Sequence, residues 1–447
     1  MNQLKVGFSR VDITPPLGIA INGYFIPRNA EKILDPLQIN AIALSDGQRK
    51  TVLMAADNLG INQKLLQPML EAVCAAAGLP AEAVYIHATH SHTAGAISPM
   101  LEGEENLEYR ELLKNKLAEA AVAALEDLKP ARMGWGIGQA PRVAFVRRFR
   151  MKDGSVRTNP GTNHPDILAP IGQVDERVNI LRFDREGGNT IVLMNFGNHP
   201  DTVGGCNISA DWPGFARAAV EQALPGTNAV LFNGAQGDVN HINVHPVGGE
   251  MNDLTRDFDD VDRGYGHARY IGRVIAGAVL QTYDKVSWVE DTTLRCVKKT
   301  VKIPSNMPDE KDLPQAREYA ALHEAGRDDQ IPYTGMMLTT VVAESLRMLR
   351  LEHGPESFEM PLSAIAIGNV ALIGIAGEPF TGIGRALKEA EGWELVLPTC
   401  CTNGYEGYFP MQDAYDEGGY EARSSNFRAG VAEQLITEGK ALLDSLR

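Results

Sequence analysis

The 447-residue chain contains no uninterrupted apolar run of about 18 residues, the length a helix needs to cross a bilayer. Its first residues, MNQLKVGFSR, hold no apolar core of the kind that secretory leaders carry over about 7–15 positions. Both absences lead us to expect a cytoplasmic protein without stable membrane anchoring. Basic charge is in deficit, with 42 Lys and Arg against 57 Asp and Glu, a net charge of −15 and a pI near 5.2. Such a surface repels nucleic acid and anionic lipid, which leaves a small-molecule substrate as the expected partner and oligomeric state undetermined. Cysteine is scarce. The five residues Cys74, Cys206, Cys296, Cys400 and Cys401 are odd in number and show no metal-type spacing, so reduced thiols are expected rather than a disulfide framework. A nucleotide-binding loop is missing too, because the glycine-rich GAQGDVNH (234–241) has neither the Lys-Ser/Thr of a phosphate loop nor the GxGxxG pattern. No stretch rich in Pro, Gly or Ser is long enough to divide the chain, so we expect one domain spanning 1–447 with a helical insertion around 304–355.

What is present is an alternation of strand and helix signals. The strand-like TVLMAADNLG (51–60) precedes a helical pattern from about Gln63 to Ala77, and AVYIHATH (83–90) precedes another from about Leu107 to Leu128. TIVLMNFGNHPD (190–201) and AVLFNGAQGDVN (229–240) repeat the unit. Between them, Pro213 suits a first helical turn and Asp211 could cap it. Further on, LRCVKKTVKI (294–303) alternates like a half-exposed strand, 309–326 reads as a charged helix, and AIAIGNVALIGIAGEPF (364–380) as a hairpin turning at Gly368-Asn369. The fold class expected is α/β, with mixed sheet layers, flanking helices and an active site at the carboxyl ends of strands.

Three of those strand ends deliver a metal-competent group into a loop: His90 and His92, then His199, then Glu378. Two histidines and a carboxylate are a plausible catalytic zinc set, since such sites take three protein ligands and keep a position open. An i, i+2 pair such as His90 and His92 would share one face of a continuing strand, giving one ligand and one catalytic neighbour, whereas His87 is read as structural. Pro379 would disfavour helical geometry at Glu378 and itself open the helix FTGIGRALKEA. The loop GAQGDVNH would let backbone approach a substrate closely, with Asn240 offering its amide to a reacting carbonyl. Segment 403–426 carries four tyrosines in a glycine-bearing loop, and VRRFRMKDGSVRTNPG (146–161) gathers arginines around an Asp153-Gly154 turn. Each of these features also has an ordinary structural explanation: a satisfied histidine, a helix-end carboxylate, a tight turn, a packed tyrosine or a solvated hairpin.

In order along the chain, VGFSRVDITPPLG, ATHSHTAGA, VRRFRMKDGSVRTNPG, NHPDTVGG with SADWPG, FNGAQGDVN, GIAGEPFTGIG, and GYFP with GGYE resemble the catalytic domain of the neutral, or alkaline non-lysosomal, ceramidase family. The resemblance implies a zinc-dependent amidase whose Zn2+ is held by His90, His199, Glu378 and Tyr408, with His92 as the catalytic neighbour. Tyr420, twelve positions after Tyr408, and Arg147 fall on further active-site residues. Two departures stand out. Asn240 occupies the place of a pocket serine, and the chain ends without the C-terminal β-sandwich domain of true ceramidases, so ceramide itself is not the expected substrate.

The expected activity is cleavage of an amide C–N bond in a small N-acyl compound by metal-activated water, the zinc lowering the water's pKa toward about 7. His92 would carry a proton, and Tyr420, Arg147 or Asn240 would stabilise the oxyanion. An esterase, a lactonase, or a sugar- or peptide-directed hydrolase of the same fold is an alternative. A non-catalytic binding protein is the alternative from another class.

Overall fold

The computed structural model describes residues 3–97, 106–246 and 264–447. Two sheets organise them. The larger runs Thr227–Asn233, Thr190–Phe196, Arg177–Arg185, Lys129–Gln139, Lys5–Asp12, Gln38–Ser45, Lys50–Ala56 and Val84–Ala88, with Ser287–Trp288 added beside Lys129–Gln139. The smaller runs Leu294–Pro304, Ser357–Ile367, Val370–Ile375 and Leu395–Thr399.

Strand parity explains how these sheets stack. Successive side chains point to opposite faces, so Ile42, Leu44, Leu53 and Ala55 enter one core while Ala41, Ala43, Val52 and Met54 enter another. The first of these cores also contains Ile365, Ile367, Leu372 and Leu397 of the smaller sheet, which places the two sheets face to face. Their outer faces are covered by helices: Gln63–Ala77 and Leu107–Glu126 over one part of the larger sheet, Asp211–Ala223 and Tyr265–Thr282 over another, and Thr381–Lys388 with Val431–Asp444 over the smaller. The layers are therefore helix, sheet, sheet, helix, and the expected mixed α/β class is what the chain adopts. The helix Gln63–Ala77 shows how sequence sets such an element. Leu66, Met69, Leu70 and Val73 recur at helical spacing and are buried, Asn62 accepts a hydrogen bond from the Leu65 N–H, and Gly78 ends the helix at φ 65°. Truncating Leu66 or Leu70 to alanine would cost about 2–5 kcal/mol.

Three parallel pairs carry the loops that matter. Lys50–Ala56 runs parallel to Val84–Ala88, Thr190–Phe196 to Thr227–Asn233, and Val370–Ile375 to Leu395–Thr399. Each pair is connected through a helix, so the loops leaving the strands' carboxyl ends lie on one side of their sheet.

Some local expectations differ from what is observed. Glu378–Pro379 does not open the helix; it forms a short parallel pairing with Tyr408–Phe409, and the helix begins at Thr381 behind Phe380. The tyrosine-bearing stretch is not a plain loop, because it contains that strand and the short helices Gln412–Glu417 and Tyr420–Ser424. The segment 309–326 forms its helix over Leu313–Glu324; with Gly335–Leu351 it makes a helical hairpin around a small core of its own, containing Tyr319, Ile331, Val341 and Val342.

Candidate metal centre

The strand Val84–Ala88 ends two residues before His90, whose backbone turns to φ 75°. The expected shared strand face therefore does not exist at His90 and His92, because the pleat has stopped. A left-handed turn instead rotates the His90 ring toward its neighbour, at a backbone cost on the order of 1–3 kcal/mol. That turn is held by the His90 N–H, which donates to the Asn58 carbonyl at 2.8 Å, and by the Thr89 N–H, which donates to the Ala56 carbonyl at 2.9 Å. His87 is structural, as its place in the strand suggested: Nδ1 lies 2.7 Å from the Cys400 carbonyl, Nε2 accepts from the Asn233 N–H at 2.9 Å, and burial keeps the ring neutral, with a pKa near 3.

Around His90 Nε2 the other groups gather. His199 Nε2 is 3.2 Å away, His92 Nε2 3.3 Å and Glu378 Oε2 3.3 Å, and His199 Nε2 lies 3.5 Å from the same Glu378 oxygen. Carbonyls settle two tautomers. His90 Nδ1 faces the Leu59 carbonyl at 2.6 Å and His199 Nδ1 faces the Gln236 carbonyl at 3.2 Å, and since a carbonyl only accepts, both Nδ1 atoms carry the proton. Their Nε2 lone pairs then point at each other and at a carboxylate. Burial, followed by the positive charge of Arg147, holds His199 well below the ordinary histidine range, and burial takes His92 down to about 3. Burial would raise the Glu378 carboxyl, but the positive charge that His90 carries when protonated, and then Arg147, hold it near 2. Such a cluster of donors could hold a metal ion. A zinc ion with ligands at about 2.0–2.1 Å in tetrahedral array requires donors roughly 3.3–3.4 Å apart. His90, His199 and Glu378, mutually 3.2–3.5 Å apart, fit that requirement, while His92 meets it toward His90 at 3.3 Å. His90, His92 and His199 are also a buried group of three whose ligand atoms all lie within 4.8 Å.

Neighbouring residues hold this geometry. Tyr405 donates its hydroxyl to Glu378 Oε1 at 2.8 Å, and Gln236 donates its amide to Oε2 at 3.3 Å. Asp238 caps the helix behind Glu378 by accepting from the Thr381 N–H at 2.6 Å and hydroxyl at 2.9 Å. Asp211 is the first residue of its helix, where it accepts from the Trp212 N–H at 2.5 Å, and it also reaches back. It accepts from the N–H groups of Thr202 and Val203 at 2.8 Å each and so braces the loop that follows His199. At Gly237 the glycine-rich loop approaches the chain itself, where a Cβ would stand 2.5 Å from the Glu378 carbonyl oxygen.

The other candidate residues are distributed around this centre. Tyr408 pairs in register with Glu378, its ring 5.6 Å from that of Tyr420, and burial raises its hydroxyl pKa well above the ordinary value. Arg147 sits with its guanidinium carbon 5.4 Å from the Tyr408 ring and is fixed by Glu421 Oε1 and the Gly237 carbonyl, both at 2.7 Å. Asn240 is occupied within its own loop, its amide donating to Asn159 Oδ1 at 3.0 Å and its oxygen accepting from the Ile242 N–H at 3.0 Å. Sequence reasoning missed Tyr405, Gln236, Glu421, and the group of Tyr24, Arg28 and Asp201 beside His92. In that group Asp201 Oδ1 lies 3.6 Å from His92 Nδ1 and accepts the Tyr24 hydroxyl at 2.5 Å, while Arg28 donates to the His92 carbonyl at 2.7 Å. Tyr405, Gln236, Glu421 and Asp201 lie within the tyrosine-bearing, glycine-rich and NHPDTVGG stretches, whereas nothing in the sequence marks Tyr24 or Arg28.

No protein-family model and no curated protein sequence matches this chain. Solved structures do. Neutral ceramidase from Pseudomonas aeruginosa aligns with a TM-score of 0.74 and 17% identity over 100% of this chain and 75% of its own. A ceramidase complexed with C2 aligns with a TM-score of 0.73 and 17% identity, over 100% and 76%. Along its whole length this chain has the fold of neutral ceramidase.

Proposed function

We propose that the protein is a zinc-dependent hydrolase that cleaves an amide C–N bond in a small N-acyl compound. One observation carries this reading: His90 Nε2, His199 Nε2 and Glu378 Oε2 lie 3.2–3.5 Å from one another in a buried site, with His92 Nε2 3.3 Å from His90 Nε2. His90, His199 and Glu378 would hold the ion, and Tyr408 and His92 are rivals for the fourth position. The bound ion would supply Lewis acidity toward a carbonyl oxygen and a more acidic water.

The chain's own groups do the rest. Arg147 is pinned by Glu421 and Gly237, so its charge is available at a fixed place for an oxyanion without reorganisation. Tyr420 presents a hydroxyl with a raised pKa, which keeps it a donor at neutral pH. His92, if not a ligand, would exchange a proton at Nε2, with the Asp201 carboxylate 3.6 Å from its Nδ1. The likeness in fold to ceramidases supports amide chemistry over the ester and lactone alternatives; a cytoplasmic location and a small-molecule partner are part of the same proposal. The test is a panel of N-acyl amides, esters and lactones offered to zinc-loaded protein and to His90→Ala, with released acid measured. Zinc-dependent release from amides, lost in the variant, supports the reading. Turnover confined to esters or lactones would transfer the assignment to them, and no turnover of any class would favour a binding protein.

A further inference from the structure

The helical hairpin Leu313–Leu351 is tied down at two places that flank the centre. His323 Nε2 lies 2.8 Å from the Phe25 carbonyl, next to Tyr24 and hence to the Asp201–His92 side. At the other side, Arg423 donates to Glu344 at 2.9 Å and its carbonyl accepts from Arg347 at 3.0 Å, so the short helix that begins at Tyr420 is tied to the hairpin. Between the hairpin and segment 153–161 lies a cavity of about 650 Å³ with Tyr420 in its wall. That is the size of a small-molecule site.

The lining has a consistent character. Its charged and amide groups already have partners in the chain: Arg157 with Asp153 at 3.1 Å, Thr158 with Glu421 at 3.2 Å, Asn159 with Asn240 at 3.0 Å, and Arg423 with Glu344. Beside the Tyr420 hydroxyl, what is left to offer a ligand is largely apolar surface from Val156, Pro160, Pro332, Tyr333, Met336 and Met337. Unbranched methionines tolerate varied shapes. We infer that this cavity is a substrate subsite for an uncharged apolar substituent of the compound being cleaved, and that the helical hairpin selects it. The inference rests on the proposed hydrolase only in naming the reaction; the subsite itself is a binding property.

Two homologous series of simple amides distinguish which side of the scissile bond it receives, one lengthening the acyl chain from acetyl upward on a fixed amine, the other lengthening the N-alkyl chain of an acetamide. Binding to the zinc-loaded protein is measured by calorimetry, and turnover separately. In one series affinity should rise about fourfold per methylene. Met336→Trp and Val156→Trp, which fill the cavity from opposite walls, should each flatten that slope, while Met336→Leu preserves it. Two tryptophan variants guard against one failing to fold. A slope without turnover would remove the hydrolase reading and leave the subsite standing. Turnover with no chain-length dependence in either series, or tryptophan variants that keep the parent slope, overturns the subsite.

Discussion

Replacing Glu378 with glutamine tests the metal centre most directly, because it removes the carboxylate's charge and leaves its shape. In the native chain Glu378 Oε2 stands 3.3 Å from His90 Nε2 and 3.5 Å from His199 Nε2. A ligand held at a thousandfold its dissociation constant stabilises the folded state by about 4.1 kcal/mol. Unfolding entropy of about 2.1 cal/mol/K per residue gives roughly 0.9 kcal/mol/K for 447 residues, so zinc at that excess should raise Tm by about 4 °C. If the variant binds about a hundredfold more weakly, at the upper end of what disturbing a metal's supporting residues does, the same zinc concentration contributes only about 1.4 kcal/mol. The shift then falls to about 1.5 °C for a chain of 447 residues. The assay is a melting curve for each protein with added zinc and with a chelator, beside metal content after dialysis. Each protein is compared with its own metal-free form, so any intrinsic cost of the substitution cancels. Equal zinc content and equal shifts in wild type and Glu378→Gln, or no zinc in either, would refute the reasoning.

Three other substitutions probe what surrounds the centre. Tyr405→Phe removes the hydroxyl that donates to Glu378 Oε1 at 2.8 Å and should weaken zinc binding about 10–100-fold, read by competition with a chromophoric chelator. Gly237→Ala places a methyl 2.5 Å from the Glu378 carbonyl oxygen; overpacking of this kind costs about 1–3 kcal/mol, so urea unfolding should show that loss together with reduced zinc occupancy. Arg147→Met leaves Glu421 charged and fully buried, with a cost of about 3–5 kcal/mol, and adding Glu421→Leu should recover most of it in a double-mutant cycle. Additive losses in that cycle would mean the pair is not coupled.

Much of the architecture could be read from local chemistry. The helix at 63–77, the hairpin turning at Gly368-Asn369 and the strands ending before His199 and at Asn233 each follow from spacing, caps and turn residues acting over a few positions. His90, His199 and Glu378 were legible as candidates for a similar reason, since a polar residue set just beyond an apolar run is exposed to whatever the loop meets. Pro379 shows where such reasoning stopped: its ring suits a helix start, yet a parallel pairing with Phe409, from a segment 30 positions further on, claimed it first.

What the chain's order alone decides, then, is where strands end and which donors those ends carry, because secondary structure and turn chemistry act between near neighbours. Which donors meet was decided only by the packing of three parallel strand pairs across two facing sheets. That packing brings His90, His199 and Glu378 within 3.5 Å of one another although their positions span 288 residues of chain, a difference of numbers 90 and 378. It also turns His92 Nε2 inward, seats Tyr405 on the carboxylate and brings Gly237 against the Glu378 backbone. No local pattern encodes such contacts, because each depends on the shape of a core built from the entire chain.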